Sequence, residues 1–303
     1  MDSKKFLRIL LNLLFLTVFL LSSNTTFAQK KCFKLPDQLL EASGLYVASP
    51  DSLYWLNDSG NAAEIYLTDG KGELLNTIAI PIQNKDWEDL TYDDKGNLYI
   101  GDFGNNRNQR KDLKIYIYHF PTARIDSITY SYPDQQSFPP PLAAQNFDME
   151  GFFWHQDSLH LFSKNRMKVG NDYTKHYRLA AQAGAQQLDL QDSIYLKKRV
   201  VTAAAIHPDG QEMVLLTYKI NAFLNIFPNV KVSLYTFRDY QGSQFFEVPP
   251  KRKKVWFWSP VTQYEAIDFT DEAEVLIASE QAFFYHQRAK RVKLKKRKKR
   301  ARS

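Results

Sequence analysis

The amino-acid sequence predicts an all-β protein, a β-propeller of five four-stranded blades, and three observations carry that prediction. A phrase returns five times along the chain. Strand signals are dense while helix signals are nearly absent. The last copy of the phrase stops one strand short, and a candidate for the missing strand lies at the other end of the chain. In each copy a short, often acidic opening leads into a hydrophobic strand, a polar turn and a second strand that ends in polar residues. The copies are Glu41-Ala-Ser-Gly-Leu45 with Ser52–Asp58, Trp87-Glu-Asp-Leu90 with Asn97–Asp102, Met149-Glu-Gly-Phe152 with Ser158–Lys164, Thr202-Ala-Ala-Ala-Ile206 with Glu212–Tyr218, and Tyr264-Glu-Ala-Ile267 with Glu274–Glu280. A spacing of roughly 45–65 residues marks a solenoid, propeller or array.

Taken from the start, residues 1–28 read as a secretory signal peptide. Lys4, Lys5 and Arg8 form a basic opening, Ile9 to Leu21 an apolar run, and Thr26-Phe-Ala28 a small-residue cleavage site. The apolar run is about 13 residues, short of the roughly 18 or more of a spanning helix; an uncleaved anchor is the alternative. The chain is therefore expected to be exported, to the periplasm or beyond the cell. Cys32 is its single cysteine, which excludes an intramolecular disulfide. Stability is left to burial in one large domain, residues 29–287.

Each repeat leaves room for four strands, rich in β-branched and aromatic residues and bounded by Asp, Asn, Gly and Pro. The first blade is expected near 44–48, 52–57, 63–68 and 73–81, and the second near 90–93, 97–101, 114–119 and 127–132. The third follows at 151–154, 158–163, 175–180 and 187–196, and the fourth at 203–206, 212–218, 232–237 and 254–258. The fifth has 266–269, 274–279 and 282–286, with Cys32–Leu35 as the closing strand. Pairing the two chain ends leaves only short, protected edges. Six blades remain an alternative if 104–149 hides a degenerate one. A β-sandwich is the other competitor, and it does not account for the repeat.

The motifs Asn57-Asp-Ser-Gly-Asn61, Asp86-Trp-Glu-Asp-Leu90, Tyr99-Ile-Gly-Asp-Phe-Gly-Asn-Asn106, Asp148-Met-Glu-Gly151 and Tyr264-Glu-Ala-Ile267 resemble an exported bacterial propeller family. That family is broadly similar to the TolB-like, NHL-like and phytase-like propellers. The resemblance spans nearly the whole mature chain and implies a propeller, without naming an activity. The fourth repeat departs from the pattern, since Ala203-Ala-Ala205 lacks an acid.

Propeller topology gathers the start of each innermost strand and the end of each second strand around one mouth of the central channel. The candidate ligand-binding residues are therefore Glu41, Asp58, Asn61, Glu88, Asp89, Asp102, Asn105, Arg107, Glu150, Lys164, Arg166, Glu265 and Glu280. Asp58, Glu88, Asp89 and Asp102 are the candidate metal ligands. Such oxygen donors suit Ca²⁺ or another divalent cation; no organic cofactor is expected. The alternative for any one of these acids is a structural bond to a turn or a neighbouring blade.

The leading expectation is an exported propeller that binds a small-molecule, carbohydrate or phosphorylated ligand at an acidic mouth, as a monomer. The alternatives are a metal-dependent phosphoesterase with Lys164, Arg166 and Arg107 as cationic clamps, a glycosidase working with two carboxylates across the channel, and a protein-interaction platform. The six histidines show no zinc-type spacing, and there is no Gly-X-Ser-X-Gly elbow and no phosphate-binding glycine loop. The Pro-rich stretch Pro133–Pro141 enters the third blade from the mouth side, as a lid or a stiff connection.

Residues 288–303 hold 11 Lys and Arg and no acid, and the signal peptide adds three basic residues and one acidic. The body from 29 to 287 is left with 40 − 11 − 3 = 26 basic and 33 − 1 = 32 acidic residues, a net charge near −6. The tail is expected to be disordered when free and to meet a polyanionic envelope surface. Export argues against nucleic acid as its partner.

Overall fold

The computed structural model describes residues 31–165, 171–223, 227–256 and 262–297. The expected signal peptide, Arg166, Phe257-Trp258 and residues 298–303 lie outside them. Strand β1 (Cys32–Lys34) opens the described chain. Blade one follows as β2 (Ala42–Ser49), β3 (Ser52–Asn57), β4 (Glu64–Thr68) and β5 (Leu74–Ala79). Blade two is β6 (Trp87–Tyr92), β7 (Asn97–Asp102), β8 (Lys114–His119) and β9 (Arg124–Ser131). Blade three is β10 (Met149–His155), β11 (Ser158–Ser163), β12 (Tyr173–Ala180) and β14 (Asp189–Tyr195). Its short β13 (Gly184–Gln187) leaves the blade to pair in parallel with β9, covering the outer edge of blade two. Blade four is β15 (Val200–Ile206), β16 (Glu212–Phe223), β17 (Phe227–Arg238) and β18 (Lys251–Lys254). Blade five is β19 (Tyr264–Asp271), β20 (Glu274–Ser279) and β21 (Arg288–Lys293), closed by β1.

The architecture is the five-bladed propeller, and β1 closes its last blade, pairing antiparallel with β21. Blades four and five depart most from the sequence expectation, and β16 and β17 each run 12 residues, past the expected 212–218 and 232–237. The outer strand of blade four is Lys251–Lys254, earlier than 254–258; all four residues are exposed, so the strand has no apolar alternation to betray it. Residues 282–286 hold a tight turn rather than a strand, with Ala282 bridged to Tyr285. The third strand of blade five is Arg288–Lys293, so the basic run does not begin as a free tail. Ala289, Arg291 and Val292 are buried there, with Arg291 within 3.7 Å of Glu274. A run of cations conceals that pattern, because Arg291 occupies a core-facing position where an apolar residue is expected.

The core forms five separate clusters, one in each gap between neighbouring blades. Leu56, Ile65 and Trp87 fill the gap between blades one and two, and Phe103, Phe152 and Tyr177 that between two and three. Phe162, Leu215 and Phe237 join blades three and four. Val214, Leu234 and Ile277 join four and five, and Phe33, Trp55 and Leu276 close the ring. Innermost strands approach each other closely enough that a Cβ on Gly151 would lie 2.6 Å from the amide nitrogen of Ala204. Side-chain acceptors tie these strands together. The Val47 amide donates to Asp268 (2.7 Å), that of Phe152 to Asp89 (3.1 Å) and that of Trp154 to Thr91 (3.1 Å).

Because Phe33 is 5% exposed in the closing strand, Phe33→Ala should cost about 3 kcal/mol or more. Urea unfolding reads this directly. A loss below about 0.5 kcal/mol, the scale of an ordinary surface change, would mean that the closing strand adds little to stability.

Candidate functional site

Every innermost strand carries a β-bulge near its start. The ladder skips one residue in each: Ser43, Glu88, Glu150, Thr202 and Glu265 in blades one to five. A bulge leaves its residue out of the pairing and re-aims its side chain. Here the bulged side chains converge on the channel mouth, as contacts between different blades show. Lys164, at the end of the second strand of blade three, lies 2.7 Å from Glu150 of its own blade and 3.9 Å from Glu265 of blade five. Asp58 of blade one brings a carboxylate oxygen within 4.8 Å of both Glu265 and Glu280, and forms a second such group with Asp86 and Glu88.

The site has two levels. Glu88, Glu150 and Glu265 are buried, 1–3% exposed, while Asp58, Asp86 and Glu280 above them remain partly open to solvent. Gly104 stands at the corresponding place in blade two. A Cβ there would lie 2.1 Å from a carboxylate oxygen of Glu88 and 2.7 Å from one of Asp86, so only glycine leaves both acids their room. From blade four, the Tyr218 hydroxyl donates to Gln263 (2.8 Å), whose amide donates to Glu280 (3.1 Å). Thr202 and Ser43 instead donate to backbone carbonyls, of Tyr264 and Glu88.

Crowding of carboxylates in a half-dry channel raises their affinity for protons. Burial pushes Asp58 up to about 6, aided by the charges of Glu265 and Asp86 and opposed by the Ser59 amide. Burial and the Glu265 carboxylate carry Glu280 up to about 10. Glu88 and Glu150 rise well above the usual range, again mainly through burial. Burial alone would lower the Lys164 ammonium, but the charges of Glu150 and Glu265 outweigh it and hold its pKa well above the ordinary value. Oε1 of Glu265 is buried and accepts no hydrogen bond from the described residues.

The structure brings together Asp58, Glu88, Glu150, Lys164, Glu265 and Glu280 of the sequence-derived residues. It separates the others. Glu41 is exposed on the rim, where Asn61 donates to it (2.6 Å); the bulged residue of blade one is Ser43, two positions on. Asp89 is turned away into the blade interface, accepting the amides of Leu90 and Phe152. Asp102 matches Asn57 and Ser163 in register, one place short of the mouth, and pairs with Arg110 at 2.8 Å. Asn105 is buried and spends its side chain on Phe147, Gln109 and Arg110. Arg107 is exposed on its loop, and Arg166 lies outside the described residues.

Two acids missed as site residues are Asp86 and Asp148, each two residues before a bulge. Asp148 accepts the Asn105 amide at 2.6 Å. Their signal was the fixed offset in Asp86-Trp-Glu88 and Asp148-Met-Glu150. The Pro-rich stretch serves as a connection, with Asp134 accepting from Tyr177 (2.9 Å) and Lys175 (2.5 Å). The opposite end of the channel holds a cavity of about 340 Å³, lined mainly by apolar and aromatic side chains, among them Tyr46, Tyr92, Trp154 and Phe269. The concentration of charge is at the mouth.

No protein-family model matches this chain, and no curated protein sequence matches it. Solved structures match in shape. An ancestral GH74 enzyme is 10% identical over 81% of this chain and 30% of its own, with a TM-score of 0.40. An alpha-L-arabinanase of Penicillium chrysogenum, complexed with arabinobiose, is 8% identical over 86% of this chain and 96% of its own, with a TM-score of 0.46. The tricorn protease is 10% identical over 82% of this chain, with a TM-score of 0.34. This chain spans less than a third of the GH74 enzyme and a fifth of the tricorn protease. These are likenesses of fold.

A carboxyl whose pKa is higher folded than unfolded stabilises the fold fully below its unfolded value and loses that contribution as pH rises through the folded one. For Asp58, and for the interface acid Asp268 raised to about 7 chiefly by burial, the window runs from about pH 4 to pH 7. The Tm of the metal-free protein should therefore fall across that window. Asp58→Asn should flatten the fall by roughly 5 °C, from about 1.4 kcal/mol per pKa unit. Thermal scans in metal-chelated buffers test this, and an unchanged slope in the variant contradicts the assignment.

Proposed function

We propose that this protein is a ligand-binding propeller whose channel mouth captures a divalent cation. The observation that carries the reading is a group of three carboxylates, Glu265, Asp58 and Glu280, whose oxygens lie within 4.8 Å of one another. The buried Oε1 of Glu265 accepts no hydrogen bond from the described residues and has the Lys164 ammonium 3.9 Å away. Asp58 belongs also to the group with Asp86 and Glu88, so it would be the shared ligand. The donors are all oxygens, which suits a hard cation such as Ca²⁺ better than zinc. Asp86, absent from the sequence-derived metal set, takes the place given there to Asp102. The partly open level of Asp58, Asp86 and Glu280 would leave the cation accessible to an anionic or hydroxyl-rich ligand.

The phosphoesterase alternative is weaker. Its cationic clamp needs free positive charge, yet Lys164 is engaged by Glu150 and Glu265, and Arg107 is exposed on its loop. The raised carboxyls could also serve as acid and base for hydrolysis, a role that depends on a substrate seated between them. Export remains part of the proposal, on the strength of the sequence signals in residues 1–28.

Adding Ca²⁺ to chelator-stripped protein should raise its Tm saturably, because a ligand of the native state stabilises it by mass action. Asp58→Asn should weaken the apparent affinity by about tenfold or more, whereas Glu41→Gln on the rim should leave it within about twofold. Absence of any shift with Ca²⁺, Mg²⁺ or Mn²⁺, or equal affinity in Asp58→Asn, would overturn the cation site.

A further inference from the structure

The exposed apolar side chains are not spread evenly over the disc. In this topology the second strand of each blade ends on the mouth side, as do the fourth strand and the connection to the next blade. Eleven large apolar side chains are exposed among the described residues, and only Leu74, Leu75 and Leu190 lie at strand starts on the other side. The three most exposed are Trp256 at 86% and Phe283 and Phe284 at 80% each. Trp256 lies in the connection from blade four to blade five, and the two phenylalanines lie between β20 and β21.

Phe283 and Phe284 are held out by construction. Ala282 and Tyr285 exchange backbone hydrogen bonds of 3.1 and 2.9 Å, which makes the phenylalanines the two central residues of a tight turn. Phe283 has φ of +54°, at a position where a two-residue turn normally selects glycine. The most apolar choice therefore stands where glycine would relax the backbone. Beside it, β16 and β17 are 12 residues long, and β16 runs five residues past Tyr218 on the mouth side, about 17 Å of strand. The last register pair of that hairpin is Phe223 with Phe227.

Cations flank these aromatics. The stretches 251–256 and 288–297 together contain 11 Lys and Arg and no acid, although the body is net negative. Lys251 to Lys254 are all exposed in the outer strand of blade four, and Arg288 and Lys293 are exposed in blade five. The two stretches meet across the gap between the blades, where Lys290 donates to the Trp256 carbonyl and Lys253 to the Lys293 carbonyl. The cations suit any polyanion, whereas three apolar side chains each at least 80% exposed favour a partner with an apolar interior. A bilayer uses both, since Trp and Phe enter the headgroup–acyl boundary while Lys and Arg meet anionic headgroups.

We propose that the mouth-side edge of blades four and five docks on an anionic lipid surface, with Trp256, Phe283 and Phe284 inserted and Lys251–Lys254 and Arg288 against the headgroups. The acidic mouth would then face the headgroup layer. Neither the lipid contact nor these residues depend on the cation site.

The test is co-sedimentation of residues 31–303, which hold every described strand and core cluster, with two kinds of vesicle. One is phosphatidylcholine alone and the other contains phosphatidylglycerol as well. Binding is expected to the anionic vesicles, to weaken with salt, and to fall about tenfold or more in Phe283→Gly/Phe284→Ser, in which glycine suits the positive φ. Lys251→Glu/Lys254→Glu should weaken it comparably. Both variants should keep the Tm and its response to Ca²⁺, which separates this surface from the mouth. Failure of the unaltered protein to sediment with anionic vesicles would overturn the proposal. So would undiminished binding by the phenylalanine variant, or binding to an acidic polysaccharide that ignores the phenylalanines.

Discussion

The bulge repeated at the start of each innermost strand is the constraint from which the site follows. A regular antiparallel ladder alternates its side chains between the two faces of a blade, and both faces are occupied by the inter-blade cores. A residue left out of the ladder is free of that alternation and can point along the channel. Five bulges in register therefore deliver five polar side chains to one place, whatever their identity: Ser43, Glu88, Glu150, Thr202 and Glu265. The next position is small in four of the five blades, Gly44, Gly151, Ala203 and Ala266, because innermost strands of adjacent blades come together there; blade two carries Asp89, which accepts the Phe152 amide of blade three.

Electrostatics builds on that geometry. Three acids at bulge positions would be tolerable in water, but here they are buried and joined by Asp58, Asp86, Asp148 and Glu280. Lys164 offsets part of this charge through Glu150 and Glu265. The remainder is balanced by protons, and the raised pKa values of Asp58, Glu88, Glu150 and Glu280 express that directly. A divalent cation bound there, as proposed, would relieve the same repulsion that the protons relieve. Asp89 and Asp268 also carry raised values, yet each spends its oxygens on backbone amides of a neighbouring blade. Raised pKa values alone do not distinguish the site; geometry does.

Much of this was legible in the sequence. The five-bladed ring, the closing role of β1 and the convergence of Glu88, Glu150 and Glu265 all follow from the repeat, because topology converts repetition into position. What misled was register at the scale of one or two residues. Glu41 looked like the acid of the first repeat, but the bulge falls on Ser43. Asp102 looked like the partner of Asp58, but the extra residue Phe103 puts Gly104 at that level. A one-residue slip exchanges a channel-facing side chain for a structural one, and the local sequence does not reveal on which residue a bulge forms. Two strands were hidden for other reasons: Lys251–Lys254 is an exposed edge strand, where cations are tolerated and discourage edge pairing, and in Arg288–Lys293, paired on both sides, the buried Arg291 breaks the apolar pattern.

The central claim is that burial and mutual repulsion keep protons on the mouth carboxyls, which a bound cation would displace. Calorimetric titration with Ca²⁺ at pH 7, in two buffers of different ionisation enthalpy, tests it most directly. Glu280, its carboxyl pushed up to about 10, must give up its proton to ligate the cation, so the observed heat should depend on the buffer in proportion to about one proton per cation bound. The release should vanish in Glu280→Gln. Heats identical in the two buffers, with Ca²⁺ still bound, would show that the cation is held elsewhere or that the mouth carboxyls were already ionised, and would contradict the account.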